Sequence, residues 1–456
     1  MHKRFPASAV LLVFLIVFAC ILSACGSDPS VQPEPVEYKI PDPDTLVVSV
    51  PDLQSKKAEL EALFEEATIP DESDFLIETE GETCIILSYV GSSDAVLLPD
   101  RIADHRVVRI AQNAFQNSSI RILILPEGIE ADNGILAGCD ALEALQTPSL
   151  GPGNCLASLF GRDDWTYNRT LVPSGLKYLI YTGQTLEEHA LSECMNLQII
   201  SFGEQTKTLA TASCMNCRDL AFVFFSDQSA AFEEIGSYAF LGCTSLQALQ
   251  LPGSLTKLGA GFLQNCNSLT ALSVPFLGSC RESEDTDFLA FFFGASSYVF
   301  SGYVPGSLVS LSLTEGSKVP DCAFYRCKGL REVTLSESIL SIGSRAFSEC
   351  VYLKTLTLPE NCKTIGKGSF YGCERLQSVS FPDSLETIDI QAFHLCLSLK
   401  EVSLPAGLKQ IGSSAFAECI SLDNVSVSPE TQLGDDVFYH TPIAARWELE
   451  SQEKST

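Results

Sequence analysis

Histidine, methionine and tryptophan are scarce, at five, three and two copies in 456 residues. The histidines, His2, His105, His189, His394 and His440, are scattered, and no pair has ligand spacing on a helix or strand. No Walker loop, nucleophile elbow or dinucleotide fingerprint occurs. The chain therefore reads as a non-enzyme with no cofactor and no metal site. Basic residues are also few, 29 Lys and Arg against 57 Asp and Glu, giving a formal charge of -28. That excess repels nucleic-acid phosphates and anionic lipid surfaces; it keeps the protein soluble without naming a partner. One acidic cluster, Glu282, Glu284, Asp285 and Asp287, has the carboxylates that calcium favours. A solvated acidic loop is the plainer reading.

The N-terminus reads as an export signal over residues 1–24. Lys3 and Arg4 precede an apolar run over residues 7–21, too short for a comfortable membrane span. Leu22-Ser23-Ala24-Cys25-Gly26 then resembles the lipobox of bacterial lipoproteins. The resemblance implies cleavage before Cys25, diacylglyceryl attachment to its sulfur, and a protein anchored to the bacterial membrane by lipid alone, facing outward. Residues 25–74 are rich in proline and acids (Pro29, Pro33, Pro35, Glu34, Glu37) and are expected to form an extended tether. Within them, Leu60, Leu63 and Phe64 have the spacing of one helix face.

Most of the rest is a repeat. Its clearest copy is Ile342-Gly343-x-x-Ala346-Phe347-x-x-Cys350-x-x-Leu353-x-x-Leu356-x-Leu358-Pro359, and further copies begin at Ile365 and Ile388. Such a period predicts a solenoid of units of ~23 residues, each burying its apolar face against its neighbours. In the run Leu330-x-x-Val333-x-Leu335, Val333 and Leu335 are expected to point inward and Glu332 and Thr334 outward, as in a strand. Ala346-Phe347 and its counterparts plug the interior from the opposite wall on short helical turns. Gly343, Gly366 and Gly412 are expected to hold turns of positive φ. The fold class is a right-handed solenoid with a parallel β-sheet on one side and short helical turns or loops on the other. Residues 75–109 alternate apolar and polar side chains and are expected to form an N-terminal β cap, the array spans 110–441, and 442–456 is a C-terminal tail.

These units resemble the BspA-like (Treponema pallidum type) leucine-rich repeat family. The resemblance covers roughly residues 110–441, and several residue types keep a fixed register across it. It implies a surface protein that binds extracellular-matrix or neighbouring-cell proteins, and it brings no catalytic motif. A carbohydrate-binding module and a structural envelope scaffold are the alternatives.

Two insertions, near 157–172 and 276–304, interrupt the array as copies of one larger unit. They carry Trp165 and Tyr167 in one case and Phe291, Phe292, Phe293, Tyr298, Phe300 and Tyr303 in the other. These aromatics either anchor a partner or plug a widened coil, and the second reading is preferred. The outward strand positions make a candidate binding face: Glu332, Thr334, Thr355, Thr357, Ser378, Ser380, Glu401, Ser403, Asn424 and Ser426. Ten cysteines, Cys139, Cys194, Cys217, Cys243, Cys266, Cys327, Cys350, Cys373, Cys396 and Cys419, occupy one repeat position. Equivalent side chains on adjacent coils point the same way, so a column of buried thiols is expected rather than disulfides.

Overall fold

The computed structural model describes residues 51–226, 232–281 and 287–446, all within a compact unit spanning 40–456. The export signal, Cys25, the tether up to residue 50, and Glu282, Glu284 and Asp285 lie outside the described residues.

Each coil contributes a strand to one long parallel face. Ten strands, from Ala95–Leu97 to Glu332–Leu335, form a continuous sheet, and the pairs Thr355–Thr357 with Ser378–Ser380 and Glu401–Ser403 with Asn424–Ser426 extend its line. Register is strict: Ser310 faces Glu332, Leu311 faces Val333, and Ser312 faces Thr334. Along Glu332–Leu335 the side chains alternate exposed and buried, so Val333 and Leu335 point inward as the pattern predicts. A second ladder of two-residue strands runs down another wall, through Ser341–Ile342, Thr364–Ile365, Thr387–Ile388 and Gln410–Ile411. The product is a parallel β-solenoid.

The interior is filled by the Ala-Phe anchors. Phe324, Phe347, Phe370, Phe393 and Phe416 are fully buried and stack with ring centroids 4.9 to 5.2 Å apart. These rings sit on hydrogen-bonded turns rather than helical ones. Every second amide on this wall donates to the next coil: Arg345 N to Lys367 O (2.8 Å), Phe347 N to Ser369 O (2.7 Å) and Glu349 N to Tyr371 O (2.7 Å).

That pattern corrects the expectation about glycine. Positive φ falls on Arg345 (54°), Glu349 (59°), Gln391 (55°) and Leu395 (61°), either side of the anchor, and not on Gly343, Gly366 or Gly412. Left-handed backbone costs an L-residue about 1–2 kcal/mol, and here it aims alternate amides at the neighbouring coil. The three glycines serve close approach instead. A Cβ on Gly412 would lie 2.4 Å from the Ile390 nitrogen, and one on Gly343 would lie 2.6 Å from the Asp321 nitrogen.

The cysteine column holds as free, buried thiols among the described residues. In the regular C-terminal coils the thiol also donates to the anchor phenylalanine of the preceding coil: Cys350 Sγ to Phe324 O (3.1 Å), Cys373 to Phe347 O (3.2 Å), Cys396 to Phe370 O (3.3 Å) and Cys419 to Phe393 O (3.1 Å). Cysteine thus fills a small apolar site and supplies a weak donor where an aliphatic residue has none. Burial pushes the Cys350 thiol up to about 12 and Cys362 up to about 11. At pH 8 these groups stay protonated and unreactive. Iodoacetamide at that pH is expected to modify the half-exposed Cys280 and Cys322 in native residues 51–446 and to reach the column only in urea. Mass spectrometry of the labelled peptides checks this.

The boundaries shift at both ends. Ala95–Leu97, inside the expected cap, already pairs in register with Ile122–Ile124, so the main sheet begins one coil earlier than the repeat pattern. Before it, Phe75–Glu80 and Thr83–Tyr89 form an antiparallel hairpin that covers the first coil. At the far end Ile443 is buried, and its amide donates to Leu422 O (3.3 Å), so the start of the expected tail packs on the last coil.

Candidate interaction surface

The outer face of the main sheet divides into two halves. In the first half most outward positions are apolar, among them Ile122, Ala144, Ile199, Phe222 and Phe224, with Gln146 and Ser201 as polar members of the same columns. They are covered by a helix, α1 (Leu53–Phe64), whose Leu60 and Phe64 are buried against them. Asp52 starts this helix, its carboxylate accepting from the amides of Gln54 and Ser55, both at 3.1 Å. The helix matches the spacing of Leu60, Leu63 and Phe64. The tether expected over 25–74 is corrected in its described part, because this stretch packs on the array instead of extending away. A groove of about 490 Å3 runs beside the helix, between Glu59 and Lys56 on one side and Tyr178 and Asp219 on the other.

In the second half the outward positions turn polar and nothing described covers them. Glu332, Thr334, Thr355, Thr357, Ser378, Ser380, Glu401, Ser403, Asn424 and Ser426 are all exposed. They stand in two columns: Thr355 beside Ser378 and Glu401 beside Asn424 in one, Thr357 beside Ser380 and Ser403 beside Ser426 in the other. Strand spacing of about 4.8 Å makes each column a row of hydroxyl, amide and carboxylate groups at a fixed repeat.

The insertions sort their aromatics. Phe291 and Phe292 are buried, at 8% and 0% exposure, and with Phe293 they plug a widened coil, which favours that reading over the loop anchors also expected of them. Trp165 is half-buried, stacked on His189 with ring centroids 4.4 Å apart and packed on Ala212, Met215 and Leu241. Tyr167, Tyr298, Phe300 and Tyr303 are exposed. Buried Asn168 fastens the first insertion: its Oδ1 accepts from Ala157 N (2.7 Å), and its Nδ2 donates to Ala190 O (3.2 Å) and Ser192 O (2.9 Å). A lone asparagine in a loop gives no sequence signal for that role.

Among the described residues, no three His, Cys, Asp or Glu are grouped to hold a metal ion. No described helix is long and apolar enough to cross a membrane.

The model of the BspA type leucine rich repeat region matches six copies over residues 178–285 and 317–444, just over half of the chain. The chain belongs to this family. Its BspA-type solenoid is similar to a leucine rich cell surface protein from Faecalibacterium prausnitzii, at 18% identity over 77% of this chain and 94% of that one, with a TM-score of 0.31. It is also similar to a leucine-rich repeat protein from Bacteroides ovatus (18% identity, 82% and 92% coverage, TM-score 0.34). A third is the leucine rich repeat protein of T. pallidum (17% identity, 78% and 91% coverage, TM-score 0.18). No curated protein matches the chain. BspA-type solenoids are protein-interaction scaffolds.

Proposed function

We propose that this BspA-type protein is a lipid-anchored bacterial surface protein that binds an extracellular or cell-surface protein through the polar half of its sheet. The observation that carries this reading is the change along one continuous face. Its apolar half is occupied by α1, while ten polar residues beyond it stand exposed in register. Many weak hydrogen bonds from a rigid row suit a macromolecule better than a small ligand, which a concave pocket would enclose. The anchor follows from Cys25 and the small residues before it. Neither the lipid nor the adhesive role depends on any catalytic group.

The test passes residues 26–456 over an array of matrix proteins and glycans at physiological salt. Saturable protein binding is expected, and Thr334→Lys, Thr357→Lys and Ser380→Lys together are expected to weaken it at least tenfold with the melting temperature unchanged. Retained binding in that triple variant would remove the sheet from the proposal. Separately, Cys25→Ser is expected to move the full chain from the membrane to the soluble fraction. The carbohydrate-binding alternative draws on exposed Tyr167, Tyr298, Phe300 and Tyr303. Glycan hits lost on Tyr298→Ala and Tyr303→Ala would favour it.

A further inference from the structure

The ladder of two-residue strands follows one rule: two carbonyls of each coil accept backbone amides of the next. Gln184 O and Leu186 O accept from Lys207 N and Ala210 N, both at 2.8 Å, and Lys363 O and Ile365 O accept from Glu386 N (2.8 Å) and Asp389 N (2.9 Å). The rule breaks after Glu130–Ala131. This coil has no strand partner on its far side, and the ladder resumes only at Thr185–Leu186. The counterparts of Gln184 and Leu186 here are Ile129 and Ala131, and their carbonyls accept no hydrogen bond among the described residues. Where a strand would lie there is a trough of about 930 Å3 lined by Ile129, Ala131, Thr182 and Gln184. The Thr182 hydroxyl is buried and has no partner. Thr185 O accepts from the Tyr181 hydroxyl (2.6 Å) in place of a strand. Orphan carbonyls and a buried lone hydroxyl are costly unless something supplies them.

The second interruption fills the equivalent place with its own chain. After Lys257–Leu258 the ladder again skips a coil before Lys318–Val319. There Leu258 N donates to Ser279 O (2.9 Å), and Lys257 pairs with Cys280 in antiparallel sense. Arg281 then ties the two rims, donating to the Gly253 carbonyl and to the Glu315 carboxylate. Gly253 lies five residues after the start of Ala248–Gln250; the residue at that place after Ile122–Ile124 is Glu127, exposed, with Glu130 exposed nearby.

We infer that the trough beside Glu130–Ala131 is a slot for an extended peptide strand of a partner protein carrying a basic side chain. The peptide seats antiparallel on the Glu130–Ala131 edge, as Ser279–Cys280 does on Lys257–Leu258. Its amides supply the Ile129 and Ala131 carbonyls, and its cation meets Glu127. Edge addition of this kind draws affinity from the main chain and selectivity from the side chains. The slot lies on a different wall from the polar strand columns, so the two proposals fail independently.

The probe is acetyl-Pro-Phe-Leu-Gly-Ser-Ser-Arg-amide, which copies residues 275–281 with serine in place of cysteine, titrated into residues 26–456. Saturable binding is expected, with amide exchange slowed at Ala131, the counterpart of Leu258 whose amide donates to Ser279 O, and unchanged at 332–426. N-methylation of alternate peptide nitrogens, exchange of the peptide arginine for glutamate, and Glu127→Lys in the protein are each expected to weaken binding at least tenfold. The melting temperature of the Glu127→Lys variant verifies its fold. Absence of binding at millimolar peptide, or equal binding of the N-methylated peptide, overturns the slot. Binding indifferent to Glu127→Lys and to the arginine exchange overturns the basic partner.

Discussion

Phe370→Ala is expected to cost the array about 3–5 kcal/mol, the range for emptying a buried aromatic site, and to split its unfolding into two steps. Phe370 is fully buried, with Phe347 5.2 Å away on one side and Phe393 5.0 Å away on the other, both rings nearly parallel to its own. Alanine leaves a void in the middle of that stack. Neither neighbour can close it, since each is held by amide bonds across coils, as Phe347 N donates to Ser369 O (2.7 Å). In a solenoid, stability passes only between adjacent coils, so the loss falls at one interface. The coils past residue 388 should then unfold at lower urea than those before 340. Phe370→Leu, which keeps most of the volume, should cost less than about 1.5 kcal/mol. Circular dichroism through a urea titration, with amide exchange to locate the first step, checks both variants. A single transition shifted by under about 1 kcal/mol would show that the ladder is not what couples the coils.

The same stack explains why so much of the fold was legible. Ala-Phe, Cys, Leu and Ile recur at fixed offsets because each touches its own copy one coil away, so packing enforces the repeat directly in sequence. The polar columns were legible for a related reason: Thr334, Thr357 and Ser380 inherit their direction from the inward Val333, Leu356 and Val379 between or beside them. What the pattern hid depends on one-off contacts. The left-handed turns carry arginine, glutamate, glutamine and leucine, because the geometry is fixed by amides bonding across coils and not by the residue occupying it. Glycine at Gly412 answered to a neighbouring backbone 2.4 Å away, which no single coil's sequence expresses. The trough beside Ala131 is the absence of a strand, visible only once the ladder around it is assembled. One signal was present and unread. Phe222-Val223-Phe224-Phe225 is apolar at every position, as a strand buried on both faces must be, and it announced that something covers the sheet there.

That cover gives the second large expected effect. Leu60→Asp with Phe64→Asp should release α1 completely. Each native side chain contributes about 1.5–3 kcal/mol by leaving water, and an unpaired carboxylate forced into the same place costs several more. A free helix of 12 residues is marginal in water, so α1 should melt once undocked. The main core does not depend on it, since Leu60 and Phe64 pack with Ile122, Ile199, Phe222 and Phe224 in a cluster separate from the interior. The bulk of the array should therefore keep its melting temperature, while the uncovered apolar half binds a hydrophobic dye and draws molecules into dimers or larger species. Lysine substitutions at Thr334, Thr357 and Ser380 should leave dye binding untouched, which separates the two halves of the face experimentally. If the double aspartate variant stays monomeric and dye-free with residues 53–64 still protected from exchange, α1 is held by something other than these two side chains. The division of the sheet into a self-covered half and a partner-facing half would then need a different physical basis.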